Sequence, residues 1–190
     1  FGGGIDNFGT LLVQDCTIVG NQADFGGGIT GGDIKNTILA GNSAANGPHG
    51  YGTIVSSDFN LIQNTNGITF TGTTTHNIIG QNPVLGRLQY NQGPDIGFEL
   101  FTMLPLPGSP VIDRGLTSNN GDQRSFPRPY DTSLPNISGG NAADIGAVEI
   151  NPTTLVVVNT NNSGAGSLRE VLATNNGWGG GNTILLSNVT

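Results

Sequence analysis

The sequence predicts an all-β chain wound as a right-handed parallel β-helix, with a short capping helix near the C-terminus. Three observations lead there: the composition, an internal repeat, and the brevity of the apolar bursts inside each repeat. Only 10% of the 190 residues are charged, and 32 are Gly. A helical globule draws on Ala, Leu, Glu and Lys. This chain offers Gly, Asn and Thr with scattered Ile, Val and Leu, which suit short strands joined by many tight turns. Hydrophobic residues make up 35% of the chain, which implies a narrow core.

The repeat shows in the first half. Phe1-Gly-Gly-Gly-Ile5 returns as Phe25-Gly-Gly-Gly-Ile29. Cys16-Thr-Ile-Val-Gly-Asn21 returns within Asn36-Thr-Ile-Leu-Ala-Gly-Asn42, and Thr53-Ile-Val55, Asn60-Leu-Ile62 and Asn77-Ile-Ile-Gly80 echo it. Strands this short cannot bury a face alone. Stacked as coils about 4.8 Å apart, each pairs with the strand above, and the inward Ile, Val and Leu form one thin core. Asn residues aligned at turns would then form side-chain amide ladders along the stack. These coils are expected over residues 1–80.

From Gln81 to Ile150 the repeat fades and Pro enters, at Pro83, Pro94, Pro105, Pro107, Pro110, Pro127, Pro129 and Pro135. Pro lacks the N–H that a stacked ladder needs. Residues 81–150 are therefore expected to be loops and edge strands packed on one end of the solenoid, where open backbone groups would otherwise invite aggregation. Residues 151–190 begin a new pattern: a strand over Thr154–Thr160, a turn at Ser163–Gly166, a helix over Ser167–Asn176, and a strand over Asn182–Leu186. Ser167 followed by Glu170 has the spacing of a capping box.

The order of motifs carries a resemblance. Asp58-Phe-Asn-Leu-Ile62, Asn77-Ile-Ile-Gly-Gln-Asn-Pro-Val-Leu-Gly-Arg-Leu88, Asn91-Gln-Gly-Pro94, Leu106-Pro-Gly-Ser-Pro-Val-Ile-Asp-Arg-Gly115, Asp122-Gln-Arg-Ser-Phe-Pro-Arg-Pro129 and Asp144-Ile-Gly-Ala-Val-Glu149 follow one another in the chain. Together they resemble the closing segment of bacterial surface β-helix proteins of the choice-of-anchor Q domain type. The units before them resemble polymorphic outer-membrane protein repeats. The tail, Val157-Val-Asn-Thr-Asn-Asn-Ser-Gly-Ala-Gly-Ser-Leu-Arg-Glu-Val-Leu172, is similar to that class's opening segment, with Val171 where Ala is usual and Gly166 where one branch has Cys. The resemblance implies a solenoid of the pectate-lyase type. It also implies an order of opening segment, coils, closing segment. Here the opening segment comes last, as in a piece of a tandem array or a circularly permuted unit.

That order sets the functional expectation: a structural module, extracellular or at the cell surface, whose copies join end to end in an array or filament by strand addition. Phe1 at one end, with Val156, Val158, Leu168, Val171 and Ile184 in the tail, are the residues expected to meet between copies. A carbohydrate-binding adhesin, with a surface polysaccharide as partner, and a polysaccharide lyase or hydrolase are the alternatives. The adhesin would need exposed aromatics stacked on one face, from a stock of 8 Phe, 3 Tyr and 1 Trp. The enzyme would need a base or converging carboxylates, and the coils offer only Lys35 as a base. No catalytic residue is assigned.

The remaining chemistry is sparse. Net charge is −7 and the six basic residues form no run beyond the Arg124/Arg128 pair, which argues against nucleic acid. No basic-then-apolar leader is read at Phe1, and apolar runs such as Leu155–Val158 are too short to span a bilayer. Asp6, Asp15, Asp24 and Asp33 fall nine apart, and Phe1-Gly-Gly-Gly-Ile-Asp-Asn-Phe8 partly matches a calcium nonapeptide. The glycines do not recur at that period, so Asp6, Asp15 and Asp33 read as solvated turn carboxylates, with calcium the lesser alternative. No cofactor is expected. Cys16, the one cysteine, reads as a small core residue, and His49 and His76 as surface loop residues. Asp113, Arg114, Asp122, Arg124, Arg128 and Asp144 cluster in the closing segment, where Asp–Arg pairing would hold loops to the solenoid, with Arg124–Asp144 the expected pair. Three glycosylation sequons begin at Asn136, Asn161 and Asn188.

Overall fold

In a computed structural model, which describes residues 1–91, 100–151 and 154–186, the repeated motifs lie one above another as parallel strands. The first pass of chain comprises β1 (Ile5–Asp6), β2 (Leu12–Gln14), β3 (Thr17–Val19) and β4 (Gln22–Phe25). The second comprises β5 (Ile29–Thr30), β6 (Asp33–Lys35), β7 (Ile38–Ala40) and β8 (Ser43–Asn46). In the third, β9 (Gly50–Ser57) spans the places of two strands and is followed by β10 (Leu61–Ile62). The fourth holds β11 (Ile68–Thr73) and β12 (Ile78–Ile79).

The register follows the sequence repeat except at Thr53-Ile-Val55, which lies in the column of β6, with Val55 facing Asp33, and not in that of Thr17-Ile-Val19. Ile5 pairs with Ile29, a step of 24, and Ile29 with Gly50, a step of 21. In the next column Ile18, Leu39, Ile62 and Ile79 are successive partners. The described residues are thus mostly β, with largely parallel pairing and one short helix. Alternation along each strand sends Val13, Ile18, Ile29, Ile34, Leu39, Ile54 and Ile62 into a common core. Ile38, Ala40 and Leu61 point the other way and join Val111 and Ile145 of the closing segment in a second cluster. β7 is therefore buried on both faces, whereas β3 is buried at Ile18 alone.

Turn chemistry repeats with the strands. Asp15, Asn36 and Asp58 occupy equivalent corners, all with positive φ (52°, 48° and 69°), a conformation that Asp and Asn tolerate better than other L-residues. The amide ladders form in pieces. Asn21 Nδ2 donates to Asn42 Oδ1 at 3.0 Å, and Asn42 Nδ2 to the Ile18 carbonyl at 2.8 Å. Asn60 Oδ1 accepts the Thr37 N–H at 3.0 Å, and Asn60 Nδ2 donates to Asn77 Oδ1 at 3.2 Å. The middle Gly of the repeated Gly-Gly-Gly is needed for space: a Cβ on Gly27 would lie 2.4 Å from the carbonyl oxygens of both Ser43 and Pro48.

The Pro-rich segment contributes a short antiparallel pair, β13 (Gln89–Tyr90) with β14 (Phe101–Thr102). The expected motif Asn91–Pro94 falls mostly outside the described residues. A segment set only on one end would meet one pass. This one reaches all four: Thr117 bonds Asp15 and Ala147 bonds Thr17 on the first, Leu116 bonds Asn36 on the second, and Gly139 lies by Phe59 of the third and His76 of the fourth. The segment therefore runs along a flank of the stack and meets the first pass through the side chains of Asp15 and Thr17.

In the tail, β15 (Thr154–Val157) and β16 (Thr183–Leu186) pair in parallel across α1 (Leu168–Gly177). Ser167 Oγ accepts the Glu170 N–H at 3.3 Å. The return bond of the expected capping box is displaced: Glu170 Oε2 accepts from Gly166 N–H at 2.6 Å, because Ser167 N–H is held by the Gly164 carbonyl. The first strand stops at Val157, short of Thr160, where Val158 N–H turns back to the Gly166 carbonyl. No helix among the described residues is long and apolar enough to cross a membrane.

Ile34 sits at the middle of the stacked core with no exposed surface. Ile34→Ala is expected to lower unfolding free energy by about 2–5 kcal/mol in urea titrations. Phe8→Ala, at a residue 90% exposed, is expected to change it by less than about 0.5 kcal/mol.

Candidate functional site

The three calcium candidates are kept apart by the strand order. Asp6 accepts a hydrogen bond from Thr30 Oγ1 at 2.7 Å, and Asp33 one from Ser57 Oγ at 2.8 Å. Asp15 accepts from Asn36 Nδ2 and Thr117 Oγ1, both at 2.7 Å, and from Asn119 Nδ2. Each carboxylate serves a different joint between chain segments. Among the described residues no group of three or more His, Cys, Asp or Glu is placed to hold a metal ion.

The densest polar chemistry lies where the closing segment meets the stack. The expected Arg124–Asp144 pair is not formed. Arg124 instead folds onto its near neighbour Asp122, with Nε at 2.9 Å and Nη2 at 2.8 Å from Asp122 Oδ2. It also donates to the Glu149 carbonyl at 2.6 Å and stacks over the Phe126 ring. The two-residue spacing lets one tight turn make this bidentate pair, and Asp122 Oδ1 closes the turn by accepting the Arg124 N–H at 2.7 Å.

Asp144 is held by backbone donors, with Oδ1 on Asp113 N–H at 2.8 Å and Oδ2 on Ile150 N–H at 2.7 Å. Asp113, at an αL corner (φ 58°), accepts from the Thr132 hydroxyl. Glu149 Oε1 accepts from Tyr130 N–H at 2.7 Å, and Oε2 from Asp144 N–H at 2.9 Å. Arg128 Nε lies 3.1 Å from Glu149 Oε2, but its N–H is not aimed at that oxygen, so this contact is ionic rather than a hydrogen bond. Asn36 ties the cluster to the stack through Nδ2 on the Asp144 carbonyl at 2.9 Å.

Burial dominates the electrostatics of this cluster. It pushes Glu149 up to about 7 against the pull of the Arg128 charge and two backbone N–H bonds. It lifts Asp144 well above the usual carboxylate range, helped by the charge of Glu149. Asp113 is raised for the same reason, with Thr132 opposing. Asp113, Asp144 and Glu149 are at most 1% exposed. The cluster joins chain segments and offers no open face to a substrate.

Both histidines lie in loops between strands as expected, but neither is free on the surface. His49 is buried, its Nδ1 3.3 Å from the Asn42 N–H that donates to it, and burial lowers its pKa. His76 clasps Asp58, with Nδ1 at 2.7 Å from Oδ2 and its backbone N–H on Oδ1 at 2.7 Å, and its ring lies on Phe59. Cys16 is half-buried against the core, and burial, reinforced by Asp15, pushes its thiol up, away from the reactive thiolate.

The assembly candidates divide. Val171, on α1, is buried and Ile184, on β16, is half-buried. Of the other candidates Val156, Val158 and Leu168 are exposed, as are Leu172, Leu185 and Leu186, which the sequence did not single out for assembly. Phe1 is exposed on one side and stacks on Phe25 at 5.4 Å, which meets Tyr51 at 5.2 Å in an edge contact. The sequon at Asn188 and the final residues 187–190 lie outside the described residues.

Comparisons with protein-family models, with curated proteins and with solved structures found no match.

Sequence reasoning missed Glu149 and the Asp58–His76 clasp. A signal existed for the first: a Glu set in Ile145-Gly-Ala-Val-Glu-Ile150 is an acid inside an apolar run, and such an acid is buried only with partners. Glu149 has a folded-state pKa raised above its unfolded value. Its contribution is fully present below the unfolded carboxylate range and is lost as pH rises through about 7. The urea midpoint is expected to fall between about pH 5 and pH 8, and Glu149→Gln to flatten that slope. An unchanged slope in the variant would assign the titration elsewhere.

Proposed function

We propose that the chain is a right-handed parallel β-helix module of an extracellular or cell-surface array, structural rather than catalytic, whose copies join end to end. The observation that carries this reading is that the stacked sheets end at the first pass, with no further strand beyond it among the described residues, while the tail holds a separate parallel pair. β1, β2 and β3 end their sheets at the first pass, and the tail supplies a parallel pair of strands with an apolar exposed face. Exposed strand edges pair with further strands unless something blocks them. Within β1 to β3 there is no Lys or Pro and the one charged residue is Asp6, and the closing segment faces β3 across a cavity. Resemblance of the motifs to surface β-helix proteins agrees with the same reading.

The aromatic column Phe1–Phe25–Tyr51 favours a second reading, a polysaccharide-binding face. Against it, the Phe1 and Phe25 rings stack on each other at 23° between planes, so a face of each is already covered. A sugar platform needs several open ring faces, whereas a column with one open face at its end suits continuation into another copy.

Electron microscopy and sedimentation velocity at low and high concentration test the proposal. The expected result is concentration-dependent filaments with a regular axial repeat. A strictly monomeric species at high concentration overturns it and leaves the polysaccharide reading, which an array of immobilised glycans would then test.

A further inference from the structure

The sheet that runs β12-β10-β7-β3 stops at β3, and among the described residues no strand lies beyond it. Its neighbour on the closed side, β7, lies in the sequence Asn36-Thr-Ile-Leu-Ala40. The tail strand β16 lies in Asn182-Thr-Ile-Leu-Leu186. The chain thus contains, at its far end, a near copy of the segment that already pairs with β3 on the other side.

We infer that the free edge of β3 receives β16 of a second copy as one more parallel strand. The register is the one β7 uses, where Thr17, Ile18 and Val19 face Ile38, Leu39 and Ala40. In the joint, Ile184 lies opposite Thr17, Leu185 opposite Ile18, and Leu186 opposite Val19. The inference rests on the end-to-end reading above and specifies its joint.

Three further observations fit this occupant. A cavity of about 370 Å³ lies beside β3, bounded by Ile5 and Ile18 of the first pass and by Phe101, Met103 and Val148 of the closing segment. No charged residue lines it, and β16 is itself uncharged, which suits an apolar strand better than an ion or an acidic ligand. In the tail, Leu185 and Leu186 are 51% and 65% exposed, large apolar side chains that a neighbouring copy would cover. β16 pairs with β15 in parallel, and β3 with β7 in parallel. The joint would therefore make one continuous parallel sheet, β15-β16 of one copy followed by β3-β7-β10-β12 of the next. Backbone bonds supply the attraction and the alternating side chains the register, as in other strand additions.

The test uses the full chain in a Cys16→Ala background. One preparation carries Val19→Cys and another Leu186→Cys; they are mixed, oxidised, and the products mapped by mass spectrometry. Directly opposed strand residues lie within disulfide reach, so a bridge from 19 to 186 between two chains is expected. It should exceed by at least about tenfold the bridge from 19 to a Leu185→Cys partner, whose side chain points to the other face. Separately, Leu185→Asp, at an exposed position, is expected to weaken self-association at least about tenfold, since it puts a charge into an apolar joint. Self-association that persists without the 19–186 bridge and is unchanged by Leu185→Asp overturns this joint and leaves end-to-end assembly standing. Absence of self-association overturns both.

Discussion

Backbone hydrogen bonding between successive passes of the chain is the constraint on which everything else depends. Strands of two to four residues have no stability of their own. β1 exists because β5 lies beside it, and β3 because β7 does. Each pass must therefore bring the same backbone shape to the same height, and the sequence repeats to make that possible. Asp15, Asn36 and Asp58 turn equivalent corners with positive φ. A slip of one residue in any pass would exchange Leu39, which points to the core, with Ile38 or Ala40, which point to the flank.

The flank is where stacking becomes a specific structure. β7 is apolar on both faces, so its outer side must be covered, and the closing segment covers it with Val111 and Ile145. Long loops carry many polar backbone groups, and the buried carboxylates take up several of them: Asp144 holds two amide N–H groups, Glu149 two more, and Asp122 three. Asn36 sits at the centre, at once a turn residue of the stack and a donor to the closing segment. Burial raises the pKa of Asp144 and Glu149 at these joints, as structural networks of buried charges do.

The stacked half was legible in the sequence because repetition exposes its own register. The pairing of Ile5 with Ile29 is the repeat of Phe-Gly-Gly-Gly-Ile, and that of Ile18 with Leu39 is the repeat of Thr-Ile-Val-Gly-Asn. The helix was legible from Ser167 and Glu170, although the return bond went to Gly166. The partners in the closing segment were not legible, because nothing periodic fixes them. Arg124 had Asp122, Asp113 and Asp144 within reach by composition, and the tight turn at residues 122–124 selected the nearest. The histidines were legible only in part. Their Gly, Asn and Thr neighbours do place them in loops, but Asn42 and Asp58 of the stack hold both side chains against the stack.

In the proposed array, the stacking that builds one copy also joins it to the next along a common axis. Diffraction from an oriented, concentrated sample tests this most directly. Coaxial stacking predicts a reflection near 4.8 Å on the meridian, parallel to the long axis of the assembly. A reflection at that spacing perpendicular to the long axis, or a sample that never orients because its particles stay single, would contradict it.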